Sequence, residues 1–317
     1  MSTKQAALPL ARQQYVEDVL EGLSQPQKRL PGKYLWDETG SDLFDRICST
    51  ADYYPTRREM ALLERHAAEV ASVVGPGANI VEYGSGAARK IRVLLDAMDA
   101  PHRYVAIDIS RDYLVTAIEP IVKDYPNLQV IPVFADYTAP ITLPVDLSDG
   151  PVLGFFPGST IGNFSPAGVV AFLSRVRETL GAGWFLVGTD PNRDEASLRR
   201  AYAGADGLMA ALHKNMLAHI NNELGSDFDL DNFRHDVRVL QDPPRVEAHL
   251  FALGDAAYTV DGERVALKAG ESIFTDVSYK YDPDTFRSLA RDGGWDPVRS
   301  WLDPQGLFSL YLLHTDG

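Results

Sequence analysis

The chain has 317 residues, 45% hydrophobic and 23% charged, a globular composition long enough for one large domain or two modest ones. A formal net charge of −14 argues against nucleic acid or an anionic membrane surface as partners, leaving a small molecule as the expected one. The single cysteine, Cys48, excludes an intrachain disulfide and a thiolate-rich metal site.

The first thirty residues alternate charged and apolar positions as a helix does, without the apolar core of a signal peptide. No apolar run approaches the ~20 residues of a membrane span, so a cytoplasmic protein is expected. From residue 79 to 190, short β-like runs alternate with helical stretches. "NIVEYGSG" is a strand then a glycine loop, and "KIRVLLDAM" has helical spacing. "YVAIDIS" and "LQVIPVFADY" are the second and third strands, with the helix "DYLVTAIEPIVKDY" between them. "PVLGFFPGS" is a fourth strand, followed by a helix with Pro166 near its start and Gly181 at its end, and "GWFLVGTD" is a fifth. Strands buried on both sides and separated by helices indicate a parallel, doubly wound α/β sheet.

After Asp190 the rhythm breaks. "DEASLRRAYAGADGLMAALHKNMLAHINNEL" reads as one long helical stretch. "SDFDLDNFRHDVRVL" follows, and then "RVEAHLFAL", "AAYTV" and "VALKAGESIFTDVSYKYD" look like antiparallel strands. The helix "PDTFRSLARDGG" and two strands, "WDPVRSWLDP" and "LFSLYLLH", close the chain as a hairpin on the same sheet. The expected organisation is a core of residues 58–190 and 281–317, with residues 1–57 and 191–280 forming a second, α+β domain.

"VEYGSGAARK" puts Gly-x-Gly between a strand and a helix, the geometry for a ligand at the C-terminal edge of a parallel sheet. A dinucleotide fingerprint wants a third glycine where this chain has Arg89. Glu82 and the two glycines, Gly84 and Gly86, suit S-adenosylmethionine better, since its amino-acid tail carries no phosphate. A purely structural turn is the competing reading. Asp108 ends the second strand, where a carboxylate can accept both ribose hydroxyls of an adenosine, whether of this cofactor or of NAD. Asp136 ends the third in "FADY", placed to accept from an adenine amino group with Tyr137 lining the ring. Either aspartate alone could instead cap the following helix.

"GSTIGNFSP" ends the fourth strand in small and polar residues, leaving Asn163 as a ligand contact or as part of a turn. In "STADYYPTRRE", two adjacent tyrosines in a loop cannot both face one core, so one is expected to face a pocket. Tyr202 lies on a helix, where packing is the ordinary role. In "FTDVSYK", strand alternation puts Asp276 and Ser278 on one face, a polar pair suited to an NH-bearing ring or to solvent. The seven histidines show no metal-ligand spacing, and no metal site is expected. Nucleophile-elbow and Walker motifs are absent.

In this order, "GSDLFDRI", "DYYPTRRE", "EYGSGAARK", "GSTIGNF", "GTDPNRD" and "DFDLDNF" resemble the S-adenosylmethionine-dependent histidine Nα-methyltransferases of ergothioneine biosynthesis, from about residue 30 onward. The resemblance implies a Rossmann-like class I methyltransferase core with an antiparallel C-terminal strand, and a substrate-binding domain built from the N-terminal segment and the insertion. It also implies three methyl transfers that make hercynine. Its cofactor residues correspond to Gly84, Ser85, Gly86, Lys90, Asp108, Asp136, Tyr137 and Gly158. Its substrate residues correspond to Tyr53, Asn163, Tyr202, Ala248, Asp276 and Ser278. In the family the Asn and the helical Tyr hold the substrate carboxylate, and the acid and Ser of the late strand hold the imidazole.

Three positions depart from that pattern. Asp276 stands where the family usually has Glu, Trp36 where well-known members have a Tyr near the reacting amine, and Ala248 where a bulkier Met is common. Each touches side-chain specificity and leaves room for another aromatic amino acid such as tryptophan. Tyr53, Asn163 and Tyr202 are expected to orient the substrate, and no residue is assigned as a base. An NAD-dependent oxidoreductase and a non-catalytic amino-acid-binding protein are the competing readings, and a monomer is expected.

Overall fold

The computed structural model describes residues 4–204 and 206–317; the first three residues of the N-terminal helical stretch lie outside it. The chain divides into two compact units: Tyr53–Asp194 with Ser278–Gly317, and the described part of Met1–Asp52 with Glu195–Val277. Helices α1 (Lys4–Ser24), α2 (Glu38–Cys48) and α3 (Tyr54–Val74) come first. Then follow β1 (Asn79–Tyr83), α4 (Arg89–Ala97), β2 (Arg103–Asp108), α5 (Arg111–Asp124), β3 (Gln129–Phe134), β4 (Val152–Phe156), α6 (Pro166–Leu180) and β5 (Gly183–Thr189). The insertion supplies α7 (Glu195–Ala203), α8 (Leu208–Leu224), β6 (Phe233–Gln241), β7 (Pro244–Ala252), β8 (Ala256–Val260), β9 (Glu263–Leu267) and β10 (Ser272–Tyr279). Last come α9 (Pro283–Asp292), β11 (Asp296–Leu302) and β12 (Ser309–Thr315).

Seven strands form one sheet in the order β3-β2-β1-β4-β5-β12-β11. β1 to β5 pair in parallel, and β12 runs antiparallel to both β5 and β11. This is the Rossmann-like α/β arrangement expected, terminal hairpin included. Every residue of β1 and of β4 is buried, which is why these strands read as unbroken apolar runs. One face of the sheet packs on α3, α4 and α5 through residues such as Leu62, Ile91 and Leu114. The other packs on α6 and α9 through Phe172, Leu173 and Phe286. α6 begins as its sequence dictates: Ser165 caps the N–H of Gly168, Pro166 holds the first position, and Gly181 ends the helix at φ 69°.

The other unit carries the sheet β10-β7-β6 and the separate hairpin β8-β9. Its N-terminal segment joins β10, Leu30 N–H donating to Phe274 O at 2.9 Å and Phe274 N–H to Lys28 O at 2.8 Å.

Four local expectations need correction, and one segment given no element in the sequence reading forms a strand. The long helical stretch after Asp190 is two helices, because Gly204 and Gly207 (φ 76°) interrupt it. "FRHDVRVL" is a strand: its charged side chains face outward while Phe233 and Val237 are buried, so its pattern is that of a half-exposed hairpin. "VALKAGESIFTDVSYKYD" is two strands of different sheets, separated at Gly270 (φ 84°). β3 stops at Phe134 and is half-exposed at the sheet edge, so Asp136 lies two residues beyond it. Tyr53 and Tyr54 are at a helix start and not within a loop; both are buried, because successive side chains diverge there.

Candidate active site

In the seven-stranded sheet the strand order reverses between β1 and β4. That is where the loops at the carboxyl ends of parallel strands part and leave room for a ligand. The loop after β1 has Gly84 at φ 71° and Gly86 at φ 49°, conformations that disfavour a side chain. Gly84 and Ser85 donate their N–H groups to Ile107 O at 2.8 and 3.2 Å, fixing the loop to β2. Gly86 N–H donates to Asp108 Oδ2 at 3.2 Å, and Ser110 N–H to Oδ1 at 2.9 Å. Burial pushes the Asp108 carboxyl above its ordinary range, partly countered by the Ser110 and Gly86 N–H groups. A Cβ at Gly84 would sit 3.5 Å from the Tyr137 ring, whereas at Gly86 it would meet nothing within 4 Å. Asp136 spends Oδ1 on the N–H (2.8 Å) and hydroxyl (2.5 Å) of Thr138, the local turn that competes with a ligand role.

Glu82 tests whether S-adenosylmethionine fits. Its carboxyl is 1% exposed and accepts from the Tyr104 hydroxyl at 2.5 Å. Its Oε1 is buried without a hydrogen-bond partner among the described residues. Burial pushes its pKa up to about 8, against the pull of Tyr104 and Lys90. An unmet buried carboxyl oxygen next to a glycine loop leaves a polar partner for a ligand, and a nearby sulfonium or ammonium would favour the ionised form that can accept from it. The residues fit the cofactor. Because the folded pKa lies above the ordinary 4.5, the folded state holds the extra proton, and stability falls as pH rises from there through about 8. Thermal unfolding of the ligand-free protein across that range is expected to show this decline, and Glu82→Gln to remove it. An unchanged slope in the variant would show that another group sets it.

The turn after β4 is anchored from below by Glu59 of α3, which the sequence reading missed. Glu59 is fully buried, Lys90 Nζ lies 2.6 Å from its Oε2, and Gly158 N–H donates to its carboxylate at 2.8 Å. Gly188 makes the space: a Cβ there would lie 2.9 Å from Glu59 Oε1. Lys90 and Gly158 thus share one carboxylate. Gly158 has φ 85°, and Ser159 leads into a 3₁₀ turn, Thr160–Asn163. That turn lies against the end of β10, since a Cβ on Gly162 would be 2.7 Å from Tyr279 O and 3.3 Å from Ser278 Oγ. Gly162, which precedes Asn163, is therefore the residue of that turn packed against Ser278. Beneath them, Lys280 Nζ is 2.9 Å from Ser278 Oγ and 2.6 Å from Asp190 Oδ2, while the Tyr54 hydroxyl donates to Asp190 at 2.6 Å. Tyr53 precedes Tyr54 as the residue flanking α3.

The other unit holds Trp36, Tyr202, Ala248 and Asp276. Tyr202 of α7 packs with Ala248 of β7 around Leu198, Val237 and Val246, which joins the candidate carboxylate and wall residues in one cluster. Asp276 sits beside Gly32, where a Cβ would come 3.2 Å from its Oδ1. Trp36 meets Phe44 edge to face at 5.2 Å. Thr275 donates to Ala248 O at 3.1 Å and bonds His213 Nδ1 at 2.9 Å. His213 stacks on His235 at 4.5 Å, and burial lowers the pKa of both. Among the described residues no cluster of three or more side chains could hold a metal ion, and no helix is long and apolar enough to cross a membrane.

Comparison with known proteins gives the family. The histidine N-alpha-methyltransferase of Mycolicibacterium smegmatis is 38% identical over 306 residues, covering 93% of this chain and 93% of its own. The Mycobacterium tuberculosis protein of the same name is 36% identical over 302 residues, with 93% of each chain covered. Ergothioneine biosynthesis protein 1 of Neurospora crassa is 28% identical over 287 residues, covering 86% of this chain and 32% of the fungal protein. With residues 15–315 also matching its family model, the chain belongs to the histidine-specific, S-adenosylmethionine-dependent methyltransferases.

Proposed function

We propose that this protein transfers methyl groups from S-adenosylmethionine to the α-amino nitrogen of L-histidine, three times, forming hercynine for ergothioneine synthesis. One observation carries the reading beyond family membership: the Asn163 turn lies beside Ser278 at the sheet edge where the Gly84–Gly86 loop opens. An amide that can hold a carboxylate then follows, in the chain, the residue packed against a hydroxyl that can hold a ring nitrogen. The proposed cofactor residues are Gly84, Ser85, Gly86, Lys90, Asp108, Asp136, Tyr137 and Gly158. For the substrate they are Tyr53, Asn163 and Ser278 of the sheet unit, and Tyr202, Ala248 and Asp276 of the other. We further propose a cytoplasmic monomer that acts on a small molecule, without nucleic-acid or membrane partners.

S-adenosylmethionine supplies a methyl group already activated on a sulfonium. What the chain must add is alignment of a neutral amine about 3 Å from that methyl carbon. Asn163 and Tyr202 hold the substrate carboxylate, Asp276 and Ser278 the imidazole, and Trp36 stands near the amine. Asp276 accepts a ring N–H, which discriminates against rings without that donor. The amine's proton passes to water.

Incubation with S-adenosylmethionine and a panel of amino acids, read by mass spectrometry, tests the reading. Histidine heavier by three methyl groups is expected; methylated tryptophan or tyrosine instead would overturn the substrate. Asp276→Ala is expected to weaken histidine binding roughly 10- to 100-fold, the worth of one charge-assisted hydrogen bond. Cofactor affinity should stay unchanged by calorimetry. A loss of cofactor binding in that variant would remove Asp276 from the substrate residues.

A further inference from the structure

Glu82 lies two residues before Gly84 and is 1% exposed, yet none of the roles above uses its carboxyl. Two further carboxyl groups act on it: Glu59 from α3, itself 0% exposed, and Asp108 from the end of β2. The cation that acts on it is Lys90 of α4, whose ammonium lies 2.6 Å from Glu59 Oε2. Tyr104 of β2 donates its hydroxyl to Glu82 Oε2. The other elements on this face bring apolar groups: Phe155 of β4, level with Glu82 in the sheet, and Leu114 and Ile118 of α5. Three carboxyl groups gathered with the Lys90 ammonium favour a proton on one of them, since like charges repel and burial disfavours each charge. Glu59 has Lys90 and the Gly158 N–H, and Asp108 has the N–H groups of Gly86 and Ser110. Glu82 has an oxygen, Oε1, with no hydrogen-bond partner among the described residues, so the proton belongs there.

We propose that Glu82 is the charge-sensing residue of the cofactor site: it gives its proton to solvent when the sulfonium form binds, and takes one back when methyl transfer leaves the thioether. This rests on the assignment of the Gly84–Gly86 loop to the cofactor. S-adenosylmethionine carries a sulfonium, an ammonium and a carboxylate, a net positive charge; S-adenosylhomocysteine has a thioether in place of the sulfonium and no net charge. A positive charge brought to the glycine loop favours the ionised carboxyl, and by reciprocity the ionised carboxyl favours the positive ligand. In the transfer the methyl carbon passes from sulfur to nitrogen and the sulfur keeps the bonding pair, so the charge that Glu82 answers leaves the sulfur. Over one round Glu82 loses one proton and regains one from water, which sets it apart from a base for the amine. A site that answers the sulfonium in this way prefers fresh cofactor to its demethylated product, as three successive transfers require.

The test is isothermal titration calorimetry near neutral pH, repeated in buffers of different ionisation enthalpy, which counts the protons exchanged per ligand bound. A carboxyl whose pKa burial pushes up to about 8 is mostly protonated there. S-adenosylmethionine is therefore expected to release close to one proton more from the wild type than from Glu82→Gln, roughly 0.9 at one pH unit below that pKa. Taking the difference between the two proteins cancels any titration of the ligand's own amine. S-adenosylhomocysteine is expected to show less than half that difference, and the variant should shift the ratio of the two affinities toward the thioether. An analogue with a protonated amine in place of the sulfonium should release protons as S-adenosylmethionine does, which separates the charge from the methyl group. Equal release on binding sulfonium and thioether to the wild type would overturn the inference without recourse to any variant. So would a release that persists in Glu82→Gln. Cofactor binding left unchanged by both Asp108→Ala and Glu82→Gln would place the cofactor elsewhere, removing the loop assignment and the inference with it.

Discussion

Asp108→Ala is expected to weaken S-adenosylmethionine binding by roughly 30- to 1,000-fold. A carboxylate at the end of β2 that receives two ribose hydroxyls contributes on the order of 2–4 kcal/mol once the non-additivity of paired bonds is allowed for. The alanine also strips a partner from Gly86 N–H and from Ser110 N–H, so the glycine loop loses its tie to β2. The wild type adds a pH dependence of known sign. Burial raises the Asp108 pKa, and hydroxyl donors favour the ionised form. Cofactor affinity should therefore rise with pH through the carboxyl's raised pKa and level off above it. Calorimetric titration of both proteins across the acid range checks size and sign together. A variant that binds the cofactor like the wild type would return Asp108 to a purely structural role.

Lys280→Met is expected to lower stability more than any single change at a substrate contact. Removing the ammonium leaves Asp190 0% exposed and uncompensated, a situation that costs about 3–5 kcal/mol. At about 2–4 °C per kcal/mol, the unfolding temperature should fall by roughly 6–20 °C. Adding Asp190→Asn should recover most of that loss, because a neutral pair carries no stranded charge. Differential scanning calorimetry of the two variants side by side decides it. If the double variant is as unstable as the single one, packing around the Lys280 stem matters more than charge.

The parallel half of the sheet was legible for a definite reason. Strands covered on both faces can only be apolar runs, and the glycines that end them are required by positive φ. β6 escaped notice because one of its faces is exposed and carries Arg234, Asp236 and Arg238, so its apolar content looked too low. The single long helix was misread because helical side-chain spacing continues across Gly204 and Gly207, while the backbone does not.

The candidate site divides similarly. Gly86 with Asp108, and Gly84 with Tyr137, were legible as loops converging on one sheet edge. Glu59 was not: in "RRE" a glutamate reads as the solvated face of a helix, and only the gap at Gly188 lets it go inside. Nor was the meeting of Asp190 with Lys280, 90 residues apart, since charges so distant in sequence carry no mark of their pairing.

The place of β12 bears on how the protein comes into being. Its seven residues pair with all of β5, and Leu310, Tyr311, Leu312 and Leu313 are buried, yet the strand is made only after the whole Glu195–Val277 segment. During synthesis the outer edge of β5, with Phe185, Leu186 and Val187, waits unpaired while more than a hundred further residues emerge. Closure of the sheet is a long-range event that has to come late. A nascent chain arrested before Ser309 would expose the strand edge most prone to pairing with a neighbour.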